Sequence, residues 1–203
     1  MNYIFLDIET VPLEITHEDV RNYLMDKKIS KERRSMDANY AKIIVIGLKI
    51  LNNEEIKLFS SDNEKELLQN FWNFLRENTP FTIVTHNGYK FDIPFLVLRS
   101  CINNIETPFQ INTNPWSMER SNHFDTMIFF SHYGAFTNPN LGILSKLHNL
   151  EIASEGKVTG ADVERLYNEG KLEEIKKHCG QDIKLLEKIF EKLCLDYLKR
   201  VRI

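Results

Sequence analysis

Two carboxylates, Asp7 and Glu9, stand one residue apart at the end of the first apolar run of the chain. A third, Asp92, follows another apolar run and a loop that contains a glycine, and His178 and Asp182 stand four residues apart in a helical pattern. Magnesium prefers oxygen ligands, and two divalent cations held by carboxylates are a common means of hydrolysing a phosphodiester. These residue types in this order therefore indicate a metal site that cuts phosphodiesters.

The predicted secondary structure would bring these side chains to one place. Asp7 and Glu9 are two residues apart on a predicted strand, so both point to the same side of a sheet. His178 and Asp182 share one face of a predicted helix. Each signal alone has an ordinary explanation, since acid pairs on strands and His-x-x-x-Asp pairs on helices are common, and Asp92 could cap the helix that follows it. The conjunction of three independent segments favours the metal site.

Hydrophobic periodicity predicts the elements that carry these residues. Strand patterns cover 3–8, 43–51, 55–59, 82–85 and 123–125, and Asn52-Asn53 joins the second and third into a hairpin. Helical patterns cover 16–28 with Thr16 as N-cap, 62–78, the segment from Asp92 onward, 127–133, 140–148, 161–168 and 171–200, while 103–122 is a loop. This order predicts an α/β fold with a mixed five-stranded sheet flanked by helices, in a single domain over residues 1–203.

Composition and charge narrow the class of protein. The chain is 42% hydrophobic and 27% charged, as soluble globular proteins are. It lacks both an apolar run long enough to cross a bilayer and a signal-peptide pattern, and its three cysteines show no CxxC spacing, so a reducing, cytoplasmic location is expected and no membrane association. No second cysteine stands at ligand spacing from Cys179, which argues against zinc. A net charge of −3 argues against a long footprint on duplex DNA and leaves a short single-stranded end as a partner.

The three acidic segments resemble a known set of motifs. Asp7-Ile8-Glu9-Thr10, Asn87-Gly88-Tyr89-Lys90-Phe91-Asp92 and His178-x-x-x-Asp182 are similar, in order and spacing, to the motifs of the DEDD 3′–5′ exonucleases, which have an RNase H-like fold. The chain most resembles stand-alone bacterial exonucleases related to the proofreading domain of family B DNA polymerases. The similarity extends through residues 43–50, 124–126, 141–150, 160–163 and 172–182, and so covers nearly the whole chain.

This resemblance implies a site and a reaction. Asp7, Glu9, Asp92 and Asp182 would bind two divalent cations, Mg²⁺ or Mn²⁺, that activate the attacking water and stabilise charge on the phosphate and the leaving 3′ oxygen. The substrate would be a single-stranded DNA end, and the product a nucleoside 5′-monophosphate. The residues implied to line the substrate groove are Ile8, Thr10, Asn87, Gly88 and Phe91.

Position 178 departs from the family pattern. One branch of the superfamily has a tyrosine four residues before the last aspartate, and the other has a histidine five residues before it, whereas His178 combines the first spacing with the second residue type. A tyrosine, with an ordinary pKa of ~10, stays protonated at neutral pH, whereas a histidine near ~6.5 can accept a proton. We therefore hypothesise that His178 is the general base, the alternative being a tolerated substitution beside a metal that does the deprotonation.

Several assignments stay open at this level. Phe91 either stacks on a base or is a core residue, and Asp125 is expected to cap a helix rather than to bind metal. Five basic residues either line a path for the strand or are a solvated helix end: Lys27, Lys28, Lys31, Arg33 and Arg34. The alternatives to a DNA exonuclease are an exoribonuclease and a catalytically inactive module that binds nucleic acid or a polymerase in trans. The presence of all four acids weighs against the inactive module, because crowded acids without a metal are destabilising.

Overall fold

The centre of the fold is a mixed sheet of five strands. The computed structural model describes residues 2–150, 152 and 158–201. The strands are β1 (Asn2–Pro12), β2 (Ala41–Ile50), β3 (Ile56–Ser60), β4 (Phe81–Thr85) and β5 (His123–Asp125). They lie in the order β3-β2-β1-β4-β5, with β2 antiparallel to β1 and β3, and β4 parallel to β1 and β5. The predicted mixed five-stranded sheet and its hairpin are therefore confirmed.

Helices connect and cover the strands. The α-helices are α1 (Glu18–Asp26), α2 (Lys31–Ser35), α3 (Glu64–Glu77), α4 (Asp92–Ile102), α5 (Thr126–Ser131), α6 (Leu141–Leu147), α7 (Val163–Asn168), α8 (Leu172–Ile189) and α9 (Leu195–Val201). Short 3₁₀ segments span Pro115–Arg120 and Gly160–Asp162, and a π-helical turn, Phe190–Cys194, joins α8 to α9. Within the described part of the chain, no helix combines the length and the apolar character needed to cross a membrane.

Side-chain alternation along β1 divides the core into two layers. Ile4, Leu6 and Ile8 are buried in the cluster that also contains the apolar faces of α3 and α4. Phe5, on the opposite side of the strand, is buried in the cluster formed with α7, α8 and the segment after it. Because side chains of a strand alternate, the odd-numbered Asp7 and Glu9 are directed to the side of α8. The sheet is thus the middle layer of an α/β/α sandwich.

Some predicted boundaries were wrong. Thr16 does not cap the first helix, because the chain stays extended through His17 and the helix begins at Glu18. The basic segment that followed it forms a helix of its own, α2, because the side chain of Ser30 accepts a hydrogen bond from the Arg33 amide and caps it. The predicted loop 103–122 contains a 3₁₀ segment, which begins at a proline.

A buried ion pair fixes α4 to the sheet. Arg99 of α4 donates to the carboxylate of Glu64 at the start of α3, and Glu64 also accepts a hydrogen bond of 2.8 Å from the backbone amide of Ile43 on β2. Both side chains are less than 10% exposed. Removing one partner of such a pair typically costs about 3–5 kcal/mol, because the other charge is left buried. The helix that begins at Asp92 is therefore held in position from its far end.

Gly47 allows α8 to lie close to the sheet. Gly47 pairs with Asp7 across β1 and β2. A Cβ atom at this position would lie 2.3 Å from Ile183 Cδ1 and 2.6 Å from Cys179 Sγ, both on α8. These separations are far below van der Waals contact, so any larger residue would force the buried side chains of Ile183 and Cys179 to shift.

We expect Gly47→Ala to lower the free energy of unfolding by about 1–3 kcal/mol, the usual effect of overpacking a core. Denaturant unfolding followed by circular dichroism measures it. Gly160→Ala is the matched control, because a Cβ at Gly160 would meet no atom within 4 Å among the described residues. Equal effects of the two substitutions would contradict the packing role of Gly47.

Candidate metal centre

The structure brings the first two acids together with a residue of α8. Ligand atoms of Asp7, Glu9 and Cys179 all lie within 4.8 Å of one another. The register of β1 against β2 shifts between Glu9 and Thr10, so Glu9 is the last residue before an irregularity in the strand. Glu9 is 7% exposed. Two carboxylates are therefore held side by side by one strand, facing a helix and largely shielded from water.

Asp92 adds a carboxylate from the first residue of α4. It is 3% exposed, and its Oδ1 atom has no hydrogen-bond partner among the residues that the structure describes. The backbone of Ile8, which lies between the first two acids, adjoins the same carboxylate and lowers its pKa. A buried oxygen without a partner typically costs about 1–3 kcal/mol. A bound cation would satisfy this oxygen, so the donor set fits a hard divalent metal.

The pKa values show that the four acids act on one another. Burial first, and then the charges of Glu9, Asp92 and Asp182, raise the pKa of Asp7 well above its ordinary value. Burial, Asp182 and Asp92 raise that of Glu9 in the same way. For Asp92, burial raises the pKa from 3.8 to about 7 although backbone amides oppose the shift. All four predicted ligands therefore lie within electrostatic range, which is the arrangement that a cation relieves.

His178 lies between two of these acids. Its Nε2 atom is 3.8 Å from Glu9 Oε1 and 3.8 Å from Asp182 Oδ2. Both distances are too long for a direct hydrogen bond and suit a bridging water. The side chain of Asp182 is 39% exposed and that of Glu9 only 9%, so the centre opens to solvent on the side of Asp182. The catalytic role of His178 and the metal ligation by the four acids stay predictions.

Cys179 is a site neighbour that the sequence interpretation set aside. Its thiol donates to the backbone carbonyl of Asp7 across 3.7 Å. Burial, followed by the charges of Asp7 and Glu9, raises the pKa of this thiol well above its ordinary value, so the sulfur stays protonated. It therefore acts here as a weak donor rather than as a thiolate ligand. The sequence signal for this proximity was the spacing of three residues between Cys179 and Asp182, which places both on one face of a helix.

Asp125 shapes the loop that precedes Asp92. Its side chain accepts hydrogen bonds from the amides of Met127 and Ile128, which confirms that it caps α5. The same fully buried carboxylate also accepts from the amides of Asn87, at 2.9 Å, and Tyr89, at 3.1 Å. Sequence reasoning found the cap but missed the two bonds to the loop.

Gly88 is required inside this loop. A Cβ at this position would lie 2.2 Å from Thr85 Oγ1 on β4, so a larger residue would displace the loop from the end of the strand. Asn87 before it has a positive φ of 72°, which asparagine tolerates better than most residues. The two residues thus let the chain turn sharply from β4 toward Asp92.

The residues predicted to contact the nucleotide lie around the centre, and several of their side chains also contact other parts of the protein. The side chain of Ile8 is in the core, so only its backbone adjoins the acids. Thr10 donates through Oγ1 to the carbonyl of Ser35 at 2.6 Å. Phe91 is partly buried, with its ring centroid 5.1 Å from that of Phe95. Contacts of these residues, and of Asn87 and Gly88, with a nucleotide stay predictions.

Comparison with known proteins agrees with this geometry. A family model described as a predicted 3′–5′ exonuclease related to the exonuclease domain of PolB matches residues 34–185. No curated protein matches the chain. The family B DNA polymerase from the hyperthermophilic archaeon Pyrobaculum calidifontis is similar in structure, with a TM-score of 0.71 and 16% sequence identity over 98% of this chain. The chain covers 25% of that polymerase. This likeness confirms the predicted RNase H-like α/β fold.

We expect the metal-free protein to become less stable as the pH rises from about 4 to about 7. Between the ordinary pKa of Asp92, 3.8, and its folded value of about 7, the unfolded chain has lost a proton that the folded chain retains, so rising pH favours unfolding. Asp92 alone accounts for a loss on the order of 4 kcal/mol at most, and the raised pKa values of Asp7 and Glu9 act in the same direction. Urea unfolding in EDTA across this range measures it.

The control for this prediction is Asp92→Asn, which removes one titrating group and should make the loss of stability smaller, while Asp7 and Glu9 keep a residual pH dependence. Added Mg²⁺ should restore stability at neutral pH, because a bound cation favours the ionised acids. An unchanged slope in Asp92→Asn would contradict the proposed origin of the effect.

Proposed function

The chain belongs to the family of predicted 3′–5′ exonucleases related to the exonuclease domain of PolB, and on that premise we propose that it is a metal-dependent hydrolase of single-stranded DNA. It removes nucleoside 5′-monophosphates from the 3′ end. The observation that carries the proposal is the unpartnered Oδ1 of buried Asp92 beside Asp7 and Glu9.

The donor set supports a two-cation centre. Asp7, Glu9, Asp92 and Asp182 offer only carboxylate oxygens, which Mg²⁺ and Mn²⁺ prefer over softer metals. The protonated thiol of Cys179 adds no competing thiolate. When bound, the cations would supply stabilisation for the negative charge that develops on the phosphate and on the leaving 3′ oxygen.

His178 supplies a proton acceptor at the opening of the site. A water between its Nε2 and the carboxylates of Glu9 and Asp182 would be oriented by all three groups. In the proposed reaction, that water attacks the phosphorus, His178 takes its proton, and the bond between the phosphorus and the leaving 3′ oxygen breaks. The two flanking carboxylates stabilise the imidazolium that results.

The first test is the cleavage of oligonucleotides labelled at the 5′ or the 3′ end. With Mg²⁺ or Mn²⁺, 5′-labelled single-stranded DNA should give a ladder that shortens stepwise from its 3′ end, and EDTA should abolish it. Asp182→Asn should lower the rate by more than about 100-fold. Asp196→Asn is its control, because Asp196 on α9 is 82% exposed and pairs only with Lys199 among the described residues.

Three outcomes of this assay would contradict the proposal. Shortening from the 5′ end would reverse the polarity. Cleavage of RNA alone would make the protein an exoribonuclease. Intact DNA and RNA with both metals would point to a module without nuclease activity.

The second test concerns His178. We expect His178→Ala to lower kcat by about 10²–10⁴-fold, the usual contribution of a general base, while substrate affinity stays nearly unchanged. The plot of log kcat against pH should also lose its acidic limb. His17→Ala is the control, because His17 is exposed and its side chain forms no cap hydrogen bond. If His178→Ala kept a third or more of the wild-type rate, the residue would be a tolerated substitution and not the base.

A further inference from the structure

A cavity of about 700 Å³ opens beyond the end of β1 that carries the acids. Its wall includes Pro12, Arg21, Lys28, Lys31, Arg34 and Glu164. It is therefore formed where the chain leaves β1, by α1 and α2 with the turn between them, and by α7. None of Asp7, Glu9, Asp92 or Asp182 lines it, so it is separate from the metal centre.

The cavity nevertheless lies near that centre. Pro12 follows Glu9 by three residues on the same strand, and a strand advances about 3.3 Å per residue, so the cavity begins roughly 10 Å from Glu9. Thr10 lies between them and binds the carbonyl of Ser35, at the end of α2. This bond connects the strand of the acids directly to a wall of the cavity.

The charge of the cavity wall is opposite to that of the metal centre. Four cations and two acids line it: Arg21, Lys28, Lys31, Arg34, Glu14 and Glu164. Lys31 pairs with Glu164 at 3.4 Å. Lys28 and Arg34 form no side-chain hydrogen bond or ion pair with any residue that the structure describes. Two cations are therefore available to an anion, in a chain whose net charge is −3.

The same wall offers apolar surface. Leu24 and Met25 of α1 line the cavity, and Met25 is 71% exposed. A cavity with free cations and an exposed apolar side chain suits a ligand that carries both phosphates and flat apolar groups. Single-stranded nucleic acid has this composition, because its bases are not paired with a second strand.

From this placement we propose that the cavity binds the part of the single strand that lies 5′ to the scissile bond, with Lys28 and Arg34 contacting its phosphates. The proposal rests on the 3′–5′ polarity of the proposed function. In such an enzyme, only the terminal nucleotide lies on the 3′ side of the scissile bond. Any further binding surface must therefore hold the strand on the 5′ side. A start roughly 10 Å from Glu9 places the cavity within about three nucleotides of the cut, at about 3.4 Å per nucleotide of a stacked strand.

The test compares two double variants with the same change of charge. Lys28→Gln with Arg34→Gln alters the cavity, whereas Lys27→Gln with Arg33→Gln alters adjacent cations that do not line it. Binding of a fluorescent single-stranded DNA is measured by anisotropy in Ca²⁺, at several salt concentrations. Hydrolysis of thymidine 5′-(p-nitrophenyl phosphate), which has no upstream nucleotide, is measured in Mg²⁺.

Loss of two phosphate contacts should reduce the slope of log affinity against log salt by about 1.4, because each contact to a single strand contributes about 0.7. If the wild type and the cavity variant bind equally at 1 M salt, this difference in slope makes the variant bind roughly 25-fold more weakly than the wild type at 0.1 M salt. The cavity variant should hydrolyse the small substrate at the wild-type rate. The control variant should retain a salt slope within about 0.3 of the wild type.

The outcomes separate this proposal from the proposed function. If the wild type cleaves DNA but both double variants bind DNA as tightly as the wild type does, the cavity proposal fails and the nuclease proposal stands. If the two double variants weaken binding equally, general charge and not the cavity holds the strand, and the proposal also fails. If the wild type cleaves neither substrate, the nuclease proposal fails, and the binding comparison alone decides whether the cavity holds single strands.

Discussion

Mutual repulsion among four clustered carboxylates, of which Asp182 is partly exposed, is the constraint on which this structure depends. Asp7, Glu9, Asp92 and Asp182 come from a strand and from two helices, and burial together with their neighbours raises the pKa of the first two well above the ordinary value. Without a cation, each ionised acid destabilises the folded state. The remainder of the fold must therefore hold these groups together against a force that separates them.

The supports lie outside the centre itself. Gly47 lets α8 approach β2 and so sets the position of Asp182, and the bonds from the Asn87 and Tyr89 amides to Asp125 hold the loop before Asp92. The buried pair of Glu64 and Arg99 fixes the other end of α4. Each support is a packed or fully hydrogen-bonded feature on a regular element. Such supports hold metal ligands more accurately than mobile loops do.

The parts that were predictable from the sequence follow from periodicity. The alternation of a strand places Asp7 and Glu9 on one side, the spacing of a helix pairs His178 with Asp182, and apolar runs separated by turn signals indicate the five strands. Contacts between distant residues were not predictable in this way. The bonds from Asp125 to Asn87 and Tyr89 span 38 and 36 residues and involve backbone amides, which carry no sequence signal. Helix α2 was missed because five residues are too few for a periodic pattern.

The same repulsion governs how a nuclease of this kind can bind its substrate. A phosphate that approaches four carboxylates is repelled until cations lie between them, so the metal centre contributes little affinity before it is loaded. Affinity for the strand must then come from cations that are close enough to reach the same molecule but too far away to neutralise the acids. At physiological salt, the interaction between exposed charges is largely screened beyond about 8–10 Å. Lys28 and Arg34, which form no ion pair within the part of the chain that the structure describes, line a cavity that begins roughly 10 Å beyond Glu9 and so meet both requirements. The separation between the acids and the cations of the cavity thus lets the acids stay available for metal while the basic surface attracts the strand.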